Sequence, residues 1–400
     1  MKKITYNNKY FILILAMFSA LPPFAIDTYL PAAPQIAGFF NVKISEIIVT
    51  VTTYFVGFAL GMFLWGLLSD RFGRKKILII GMILYVLSTI ICSITDSFFT
   101  FKIMRAVQGL SDASGAIVAM SMARDCFSGK KLKAVISSMI IVMMAAPIVA
   151  PIIGSVLIVW TSEWQSIFHF LTIYGLILLG LSFFLEETLS KNKMSKNLKH
   201  SLSFYTMHLR NYKFLIMSIS SGLCFAAIFS FIGSSSVIFL GAFSTGYVVY
   251  CILFSVNILG IIFANILIKS ILLNAENRIV MVLGFTSCFV GILICILSYH
   301  LYPVSYVFAI GIMMVTFGFA LSSTILQADA LNNVSVGFGA ANSIGSVIKF
   351  TLAGISNLYM SFYSEHNIVA HLSYQQVFIA VLAVSFFYFS QKFSSSEIDQ

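Results

Sequence analysis

Charged residues are scarce in this sequence. Only 10% of its 400 residues are Asp, Glu, Lys or Arg, whereas 59% are hydrophobic. Soluble domains usually carry roughly 25% charged residues, so this composition excludes an ordinary soluble fold. Apolar runs of about 20 residues, the length that crosses roughly 30 Å of hydrocarbon as a helix, recur along the chain. The sequence therefore predicts a protein that lies in a lipid bilayer and has no large soluble domain.

Motifs for other classes of function are missing as well. No GxxxxGK[ST] loop for nucleotide hydrolysis occurs, and no HExxH or GxSxG motif indicates a membrane-embedded enzyme. The six cysteines form no CxxC pair, which favours small packing residues over disulfides or metal ligands. A receptor would usually add a soluble sensing domain, and we expect none. The sequence thus predicts no catalytic residue, no metal and no cofactor.

The net charge of +10 comes from bases in short loops between the apolar runs. These bases form no continuous stripe with aromatic platforms, so we expect no nucleic-acid partner. Lys2 and Lys3 before the first apolar run could also belong to a signal peptide. Because further spans follow at once, we expect this first segment to stay as a membrane helix.

About twelve apolar runs can be counted, and a lysine-rich stretch after the sixth divides the chain almost in half. We therefore expect an all-α polytopic membrane protein with an N-terminal six-helix bundle over residues 1–190, a cytoplasmic central loop over 191–211 and a C-terminal six-helix bundle over 212–400. The predicted spans lie near residues 10–30, 48–69, 77–95, 98–122, 133–159, 165–186, 212–238, 246–270, 279–299, 303–326, 336–361 and 373–391.

Lysine and arginine accumulate on alternate loops. One set of loops is basic throughout, whereas the other set offers only Lys43 and Lys102. Because basic residues concentrate on cytoplasmic loops, we expect a multi-pass protein of the cytoplasmic (inner) membrane with both termini in the cytoplasm.

Several motifs resemble those of known transporters. The loop GLLSDRFGRKK between spans 2 and 3 resembles the signature loop of the major facilitator superfamily. The segments IDTYLPAAPQIA in span 1, RAVQGLSDASG and ARDCF in span 4, APIVAPIIG in span 5 and EETL after span 6 resemble the drug/proton antiporters of the bicyclomycin-resistance (Bcr/CflA) type. The resemblance is dense over residues 20–190 and thinner afterwards.

This resemblance implies two six-helix bundles around a cavity that opens alternately to either side of the membrane. It implies a monomeric, proton-coupled antiporter that exports drug-like or amphipathic small molecules. An exporter of an endogenous metabolite, such as a siderophore or a sugar, remains the alternative.

The signature loop would act as a cytoplasmic latch between conformations. The resemblance implies that Asp70 faces the start of span 11, where exposed N–H groups favour an anion, and that Arg71 and Arg74 hold Asp70 in place. The residues assigned to the latch are Gly66, Asp70, Arg71, Gly73 and Arg74.

Few ionisable side chains lie within the spans, where a charge costs from about 3 to well over 10 kcal/mol. Asp27 and Arg105 are expected at similar depth and could pair, either as a static ion pair or as a carboxylate that takes up and releases a proton. Asp112 lies on the same helix face as Arg105. It is either a second proton or cation site or a residue at the rim of a water-filled cavity. Asp27, Arg105 and Asp112 are our candidates for proton coupling.

Tyr29, Gln108 and Lys349 are assigned to the substrate cavity. Gln108 follows Arg105 by one helical turn. Lys349 lies deep in span 11 and could snorkel, pair with an acid such as Asp112 or contact an anionic substrate. Of these alternatives we expect the pairing.

Two further patterns concern helix packing. Pro147, Pro151 and Gly154 are expected to interrupt span 5, so that it can bend and pack closely. Gly57 and Gly61 form a small-xxx-small face on span 2 that permits a close helix approach.

Overall fold

The computed structural model describes residues 9–190, 198–272, 275–301 and 303–396. Within these ranges the chain is helical and has no strand, and twelve of its helices are 19 residues or longer. These twelve coincide with the predicted spans, so the all-α polytopic fold is confirmed. The N-terminal lysines Lys2 and Lys3, and most of the central lysine cluster, lie outside the described residues.

The elements follow one another with short connections. In the first half of the chain they are α1 (Lys9–Asp27), a 3-10 turn (Leu30–Ala32), α2 (Ala33–Phe40), α3 (Ile47–Phe72), α4 (Arg74–Ile94), α5 (Phe98–Cys126), α6 (Gly129–Thr161) and α7 (Gln165–Phe184). The second half contains α8 (Leu198–Leu209), α9 (Tyr212–Ser236) with a π-helical extension (Val237–Ala242), α10 (Tyr247–Ser270), α11 (Asn277–His300), α12 (Ser305–Asn332), α13 (Phe338–Ser361) and α14 (Glu365–Ser396).

Contacts divide the chain into two compact units. The first unit comprises Met1–Asn41 and Thr53–Ser201, and the second comprises Val42–Thr52 and Leu202–Gln400. In the first unit α4 packs against α5 and α7, and α1 packs against α5 and α6. In the second unit α9 packs against α12, α13 and α14, while α12 also packs against α10 and α11.

Eleven helical segments of the described chain are long and apolar enough to cross a membrane. The remaining long helix, α5, has 29 residues but a lower apolar content, because it carries Lys102, Arg105 and Asp112 along its length. A helix of this length that buries charge is typical of the interior of a membrane bundle.

The segment predicted as the central loop contains a helix. Residues 191–197 lie outside the described residues, but Leu198–Leu209 forms helix α8. Tyr205 and His208, three residues apart and so on one helix face, are both buried. The His208 ring lies 5.7 Å from the Phe214 ring. This short amphipathic pattern was hidden by the surrounding lysines.

Two close helix contacts depend on glycine. A Cβ atom on Gly57 would lie 1.9 Å from the Ala106 carbonyl oxygen, and one on Gly109 would lie 2.0 Å from that of Tyr54. The close approach expected from the glycines of span 2 is thus confirmed, and the partner of α3 is α5. In the same way, a Cβ atom on Gly154 of α6 would lie 2.1 Å from the backbone carbonyl oxygen of Thr28.

Helix α6 is not interrupted, contrary to the prediction. It runs for 33 residues through Pro147 and Pro151. Proline removes one backbone N–H and crowds the preceding turn, but membrane helices tolerate this when their neighbours satisfy the freed groups. Pro151 and Gly154 are buried, so this part of the motif serves helix packing in the structure. A role in bending stays a prediction.

We predict that Gly154→Ala destabilises the protein by about 1–3 kcal/mol, because the new methyl group forces α6 away from the Thr28 backbone. The matched control is Gly180→Ala on α7, where a Cβ atom meets nothing within 4 Å. Thermal unfolding of the purified variants measures both changes. A Gly154→Ala protein as stable as Gly180→Ala would contradict this packing.

Candidate functional site

Helix α5 carries two charged side chains into the interior of the first unit. Arg105 and Asp112 are both fully buried. The helix begins after Ser97, whose hydroxyl accepts a hydrogen bond of 3.3 Å from the Thr100 N–H. The charged residues lie seven positions apart, and therefore on roughly the same face of α5.

Arg105 is held by aromatic rings and polar groups. Its guanidinium carbon lies 4.7 Å from the centre of the Tyr29 ring and 4.8 Å from that of the Tyr54 ring. Its Nη1 donates to Gln108 Oε1 at 2.5 Å and to the Ala25 carbonyl at 3.3 Å. The Nε and Nη2 groups are buried without a hydrogen-bond partner. The cation–π contacts thus replace part of the stabilisation that hydration would give to this charge.

Gln108 and Tyr29, which we predicted in the substrate cavity, surround Arg105 in this structure. Gln108 is fully buried and uses both ends of its amide, since its Nε2 donates to Thr89 Oγ1 at 2.8 Å. Tyr29 is fully buried too. Both residues therefore position Arg105, and this chain of contacts joins α5 to α1 and α4.

The expected ion pair between Asp27 and Arg105 is wrong for this structure. Asp27 is buried at the end of α1, but the ion pairs in the described part of the chain all belong to Arg74. Arg105 instead contacts the backbone at Ala25, two residues earlier, where the Tyr29 ring covers one face of the guanidinium. Two residues of a helix that are two positions apart point in different directions, which separates the two charges.

Asp112 is bound by a tyrosine that sequence reasoning missed. The Tyr54 hydroxyl donates to Asp112 Oδ2, while Oδ1 is buried without a partner. Because the Tyr54 ring also covers Arg105, this one side chain contacts both charges of α5. The signal in the sequence was the glycine face of α3, which brings α3 against α5.

Lys349 lies near the middle of α13 in the second unit. Its Nζ is 5.8 Å from the centre of the Phe225 ring. No carboxylate among the described residues forms an ion pair with it. A pairing between Lys349 and Asp112 joins residues of different units, and it stays a prediction.

The signature loop is organised around Arg74. Gly73 has φ of 98°, a conformation that favours glycine, and it separates α3 from α4. Arg74 is buried and binds Asp70 at 2.5 Å through Nη1 and Asp125 at 3.1 Å through Nε. Its Nη1 also donates to Ser69 Oγ at 2.8 Å, and the Ser69 hydroxyl donates to the Gly66 carbonyl.

The predicted role of Arg71 in holding Asp70 is wrong. Arg71 is exposed and lies over the Phe72 ring, with its guanidinium carbon 5.2 Å from the ring centre. Asp70 and Arg74 are four residues apart across the turn and meet directly, whereas Arg71 follows Asp70 immediately and points elsewhere.

Two acids that bind this loop come from distant segments. Asp125 at the end of α5 binds Arg74 and also accepts a hydrogen bond of 3.2 Å from Thr188. Glu187 accepts hydrogen bonds from the backbone N–H groups of Arg74 and Lys75, at 3.0 and 3.1 Å, at the start of α4. A carboxylate stabilises a helix N-terminus by this arrangement. Both acids lie within motifs of the sequence, but their partners lie more than 50 residues away.

We predict that Arg74→Gln destabilises the first unit by about 2–3 kcal/mol, because Asp125 then loses its charged donor. Arg71→Gln is the matched control and should change stability by less than about 0.5 kcal/mol, since Arg71 is exposed. Thermal unfolding of both purified variants measures the difference. Equal losses of stability in the two variants would exclude this arrangement.

The first unit buries both acidic and basic side chains. Among the described residues no group of three or more His, Cys, Asp or Glu side chains could hold a metal ion. The buried ionisable side chains of its helices include two carboxylates, Asp27 and Asp112, and two guanidinium groups, Arg74 and Arg105. Carboxylates can bind and release a proton, whereas guanidinium groups keep their positive charge.

The family model of the Major Facilitator Superfamily matches residues 12–356 of this chain. The chain belongs to the major facilitator superfamily. The resemblance seen in the sequence motifs is therefore confirmed, and the chain is a multi-pass membrane protein of a transporter family.

Relatives within the superfamily carry names that refer to drug resistance. The bicyclomycin resistance protein homolog of Haemophilus influenzae is 29% identical over 351 residues, which cover 86% of this chain and 87% of the relative. The multidrug resistance protein MdtL of a Shewanella species is 25% identical over 366 residues, which cover 90% of this chain and 89% of the relative.

Solved structures of the superfamily share the fold. The nucleoside transporter NupG superposes with a TM-score of 0.75 at 12% identity, covering 95% of this chain and 99% of NupG. The xylose transporter XylE of E. coli, in a partially occluded inward-open conformation, gives a TM-score of 0.71 at 13% identity, covering 94% and 98% of the two chains. At these identities the likeness concerns the fold alone.

Proposed function

We propose that this protein is a proton-coupled antiporter that exports drug-like or amphipathic small molecules by alternating access. Membership of the superfamily and the names of the resistance relatives support this function. The observation that carries the proton coupling is the pair of buried carboxylates, Asp27 and Asp112, neither of which forms an ion pair within the described residues. We further propose a monomer in the inner membrane with both termini in the cytoplasm, and no enzymatic activity.

Proton binding would follow from access of water to these carboxylates. A carboxylate holds a proton more firmly when water is excluded, and it releases the proton when water or a donor stabilises its charged form. Opening the protein to either side changes this hydration. Asp27 and Asp112 would therefore take up a proton from one side and release it to the other.

Arg105 would supply the fixed charge that tunes this exchange. Its position is set by Tyr29, Tyr54 and Gln108, and two of its nitrogen groups have no hydrogen-bond partner. These groups can bind a deprotonated carboxylate or a polar group of the cargo when the helices rearrange. Arg105 would thus stabilise the deprotonated carboxylate and favour proton release, while the guanidinium keeps its own charge.

The membrane potential sets the energy available to the exchange. One charge moving through 100 mV is worth about 2.3 kcal/mol, which sustains roughly a 50-fold gradient of a neutral solute per proton. A monovalent cation exchanged for one proton gains nothing from the potential and depends on the pH gradient. The charge of the cargo and the proton stoichiometry are therefore linked.

The signature loop would be a latch on the cytoplasmic side, as the resemblance implies. Arg74 binds one oxygen of Asp70, while about half of the Asp70 side chain is exposed. Its second oxygen is thus available to another partner. Removing the Asp70 charge should then favour the inward-open state.

The central test is transport by purified protein in proteoliposomes with an imposed pH gradient. Bicyclomycin, together with cationic, neutral and anionic test compounds, is supplied, and an entrapped pH dye records proton movement. We predict that Asp27→Asn and Asp112→Asn each lower proton-coupled transport about tenfold or more, because the proton loses its binding group. The control is Asp96→Asn, which removes an exposed acid between α4 and α5.

Proton movement that depends on a transported compound in the wild-type protein, and falls in both buried variants but not in the control, supports the proposal. Uphill transport at the wild-type rate by the Asp27→Asn, Asp112→Asn double variant would refute it.

The latch has a separate test. In inside-out vesicles, we predict that Asp70→Asn increases the labelling of single cysteines introduced on the cytoplasmic side of the cavity helices, because the inward-open state gains population. Asp96→Asn again serves as the control. Unchanged labelling in Asp70→Asn would exclude the latch.

A further inference from the structure

Helices α9 and α13 present a patch of aromatic rings beside one lysine. Phe225 and Phe229 of α9 have ring centres 4.4 Å apart, and Phe350 of α13 lies 5.2 Å from Phe225 and 6.4 Å from Phe229. Lys349 Nζ lies 5.8 Å from the centre of the Phe225 ring. We call Phe225, Phe229, Phe350 and Lys349 the Lys349 patch. All four residues belong to the second unit.

The side chains of the Lys349 patch are more exposed than their neighbours on α9. From Ser220 to Ser236 the side chains of α9 are buried, except those of Phe225 and Phe229, which are half-buried. Lys349 and Phe350 are half-buried as well. The rings and the ammonium group can therefore be reached by another molecule, while the backbone that holds them is packed.

No described residue of the second unit forms an ion pair with Lys349. It is the twelfth residue of the 24-residue helix α13, so it lies near the middle of an apolar segment. Among the described residues, the ion pairs all involve Arg74 of the other unit. A cation–π contact with one ring compensates a half-buried ammonium group only in part. A charge in such a position is expected to meet a ligand or an ion path.

A second hydrogen-bonding group lies one turn away along α13. Gln327 of α12 packs against Gly345, since a Cβ atom there would lie 3.2 Å from the Gln327 Nε2 atom. The Oε1 atom of Gln327 is buried without a hydrogen-bond partner. Four residues of α-helix span about 6 Å, so Gln327 and Lys349 can contact one small molecule together.

We propose that the Lys349 patch binds the anionic group of a cargo whose remaining body is aromatic or apolar. Lys349 would bind a carboxylate or a similar anion, and the three phenylalanine rings would pack against the body of the cargo. The Gln327 Oε1 atom would accept a hydrogen bond from a donor group of the same cargo. This inference rests on the proposed function, because it narrows the class of compounds that the protein exports.

The test compares the binding of three probes with the same ring and different charge. 1-Naphthoate, 1-naphthamide and 1-naphthylmethylammonium are measured by equilibrium dialysis against the full-length protein in phosphatidylcholine nanodiscs, with empty nanodiscs subtracted. The wild-type protein should bind naphthoate about tenfold more tightly than the ammonium compound. Lys349→Met should weaken naphthoate binding about tenfold and leave naphthamide binding within about twofold.

Three controls separate charge, rings and folding. Lys349→Arg should retain the preference for the anion, and Lys269→Met, which removes an exposed lysine at the end of α10, should change nothing. Phe225→Leu should weaken the binding of all three probes. Retained binding of naphthamide by Lys349→Met shows that this variant is folded.

Several outcomes would overturn the proposal. These are a wild-type preference for the cationic probe, no binding of any probe, or naphthoate binding that Lys349→Met leaves unchanged. Loss of naphthoate binding when phosphatidylglycerol is added to the nanodiscs would also overturn it, because the anion would then be a lipid. The measurement uses no pH gradient, so its failure leaves proton-driven export untouched, and a failure of proton coupling leaves the binding result standing.

Discussion

The structure of the first unit depends on one constraint: the guanidinium group of Arg105 is buried among apolar helices and forms no ion pair with a described residue. Arg105 contacts two tyrosine rings, and Gln108 and a backbone carbonyl bind one of its nitrogens. This arrangement lowers the cost of the charge but leaves part of the guanidinium without partners. Because part of the guanidinium has no partner, Arg105 can form new hydrogen bonds when the helices rearrange. A fully paired guanidinium would first have to break its existing bonds.

Tyr54 links this charge to the acid that lies two turns further along α5. Its ring covers Arg105, and its hydroxyl donates to Asp112. The contact is possible because glycine on both α3 and α5 lets the two backbones approach closely. Packing and electrostatics are therefore coupled here: a shift of α3 relative to α5 would alter the surroundings of both charges at once. A rearrangement of the helices can in this way change proton binding without any long path of communication.

Much of the fold could be predicted from the sequence because hydropathy and length determine which segments span a membrane. The buried charges of α5 were also visible, since any ionisable residue in such a segment is conspicuous. Partners were harder to predict. The Asp27–Arg105 pair was wrong because depth in the membrane does not fix the direction of a side chain. Arg71 and Arg74 were both expected to bind Asp70, and among the described residues Arg74 alone does so. Tyr54, Asp125 and Glu187 were missed because their partners are distant in the sequence and ordinary in composition.

The protonation of the buried acids can be observed directly by infrared spectroscopy of the protein reconstituted in lipid. Protonated carboxyl groups absorb separately from carboxylates, so a pH titration of the wild-type protein can be compared with Asp27→Asn, Asp112→Asn and the double variant. If Asp27 and Asp112 bind the coupled proton, a carboxyl absorption titrates, changes when cargo is added and is lost in the double variant. The same titrating absorption in the double variant, with the same response to cargo, would contradict this assignment.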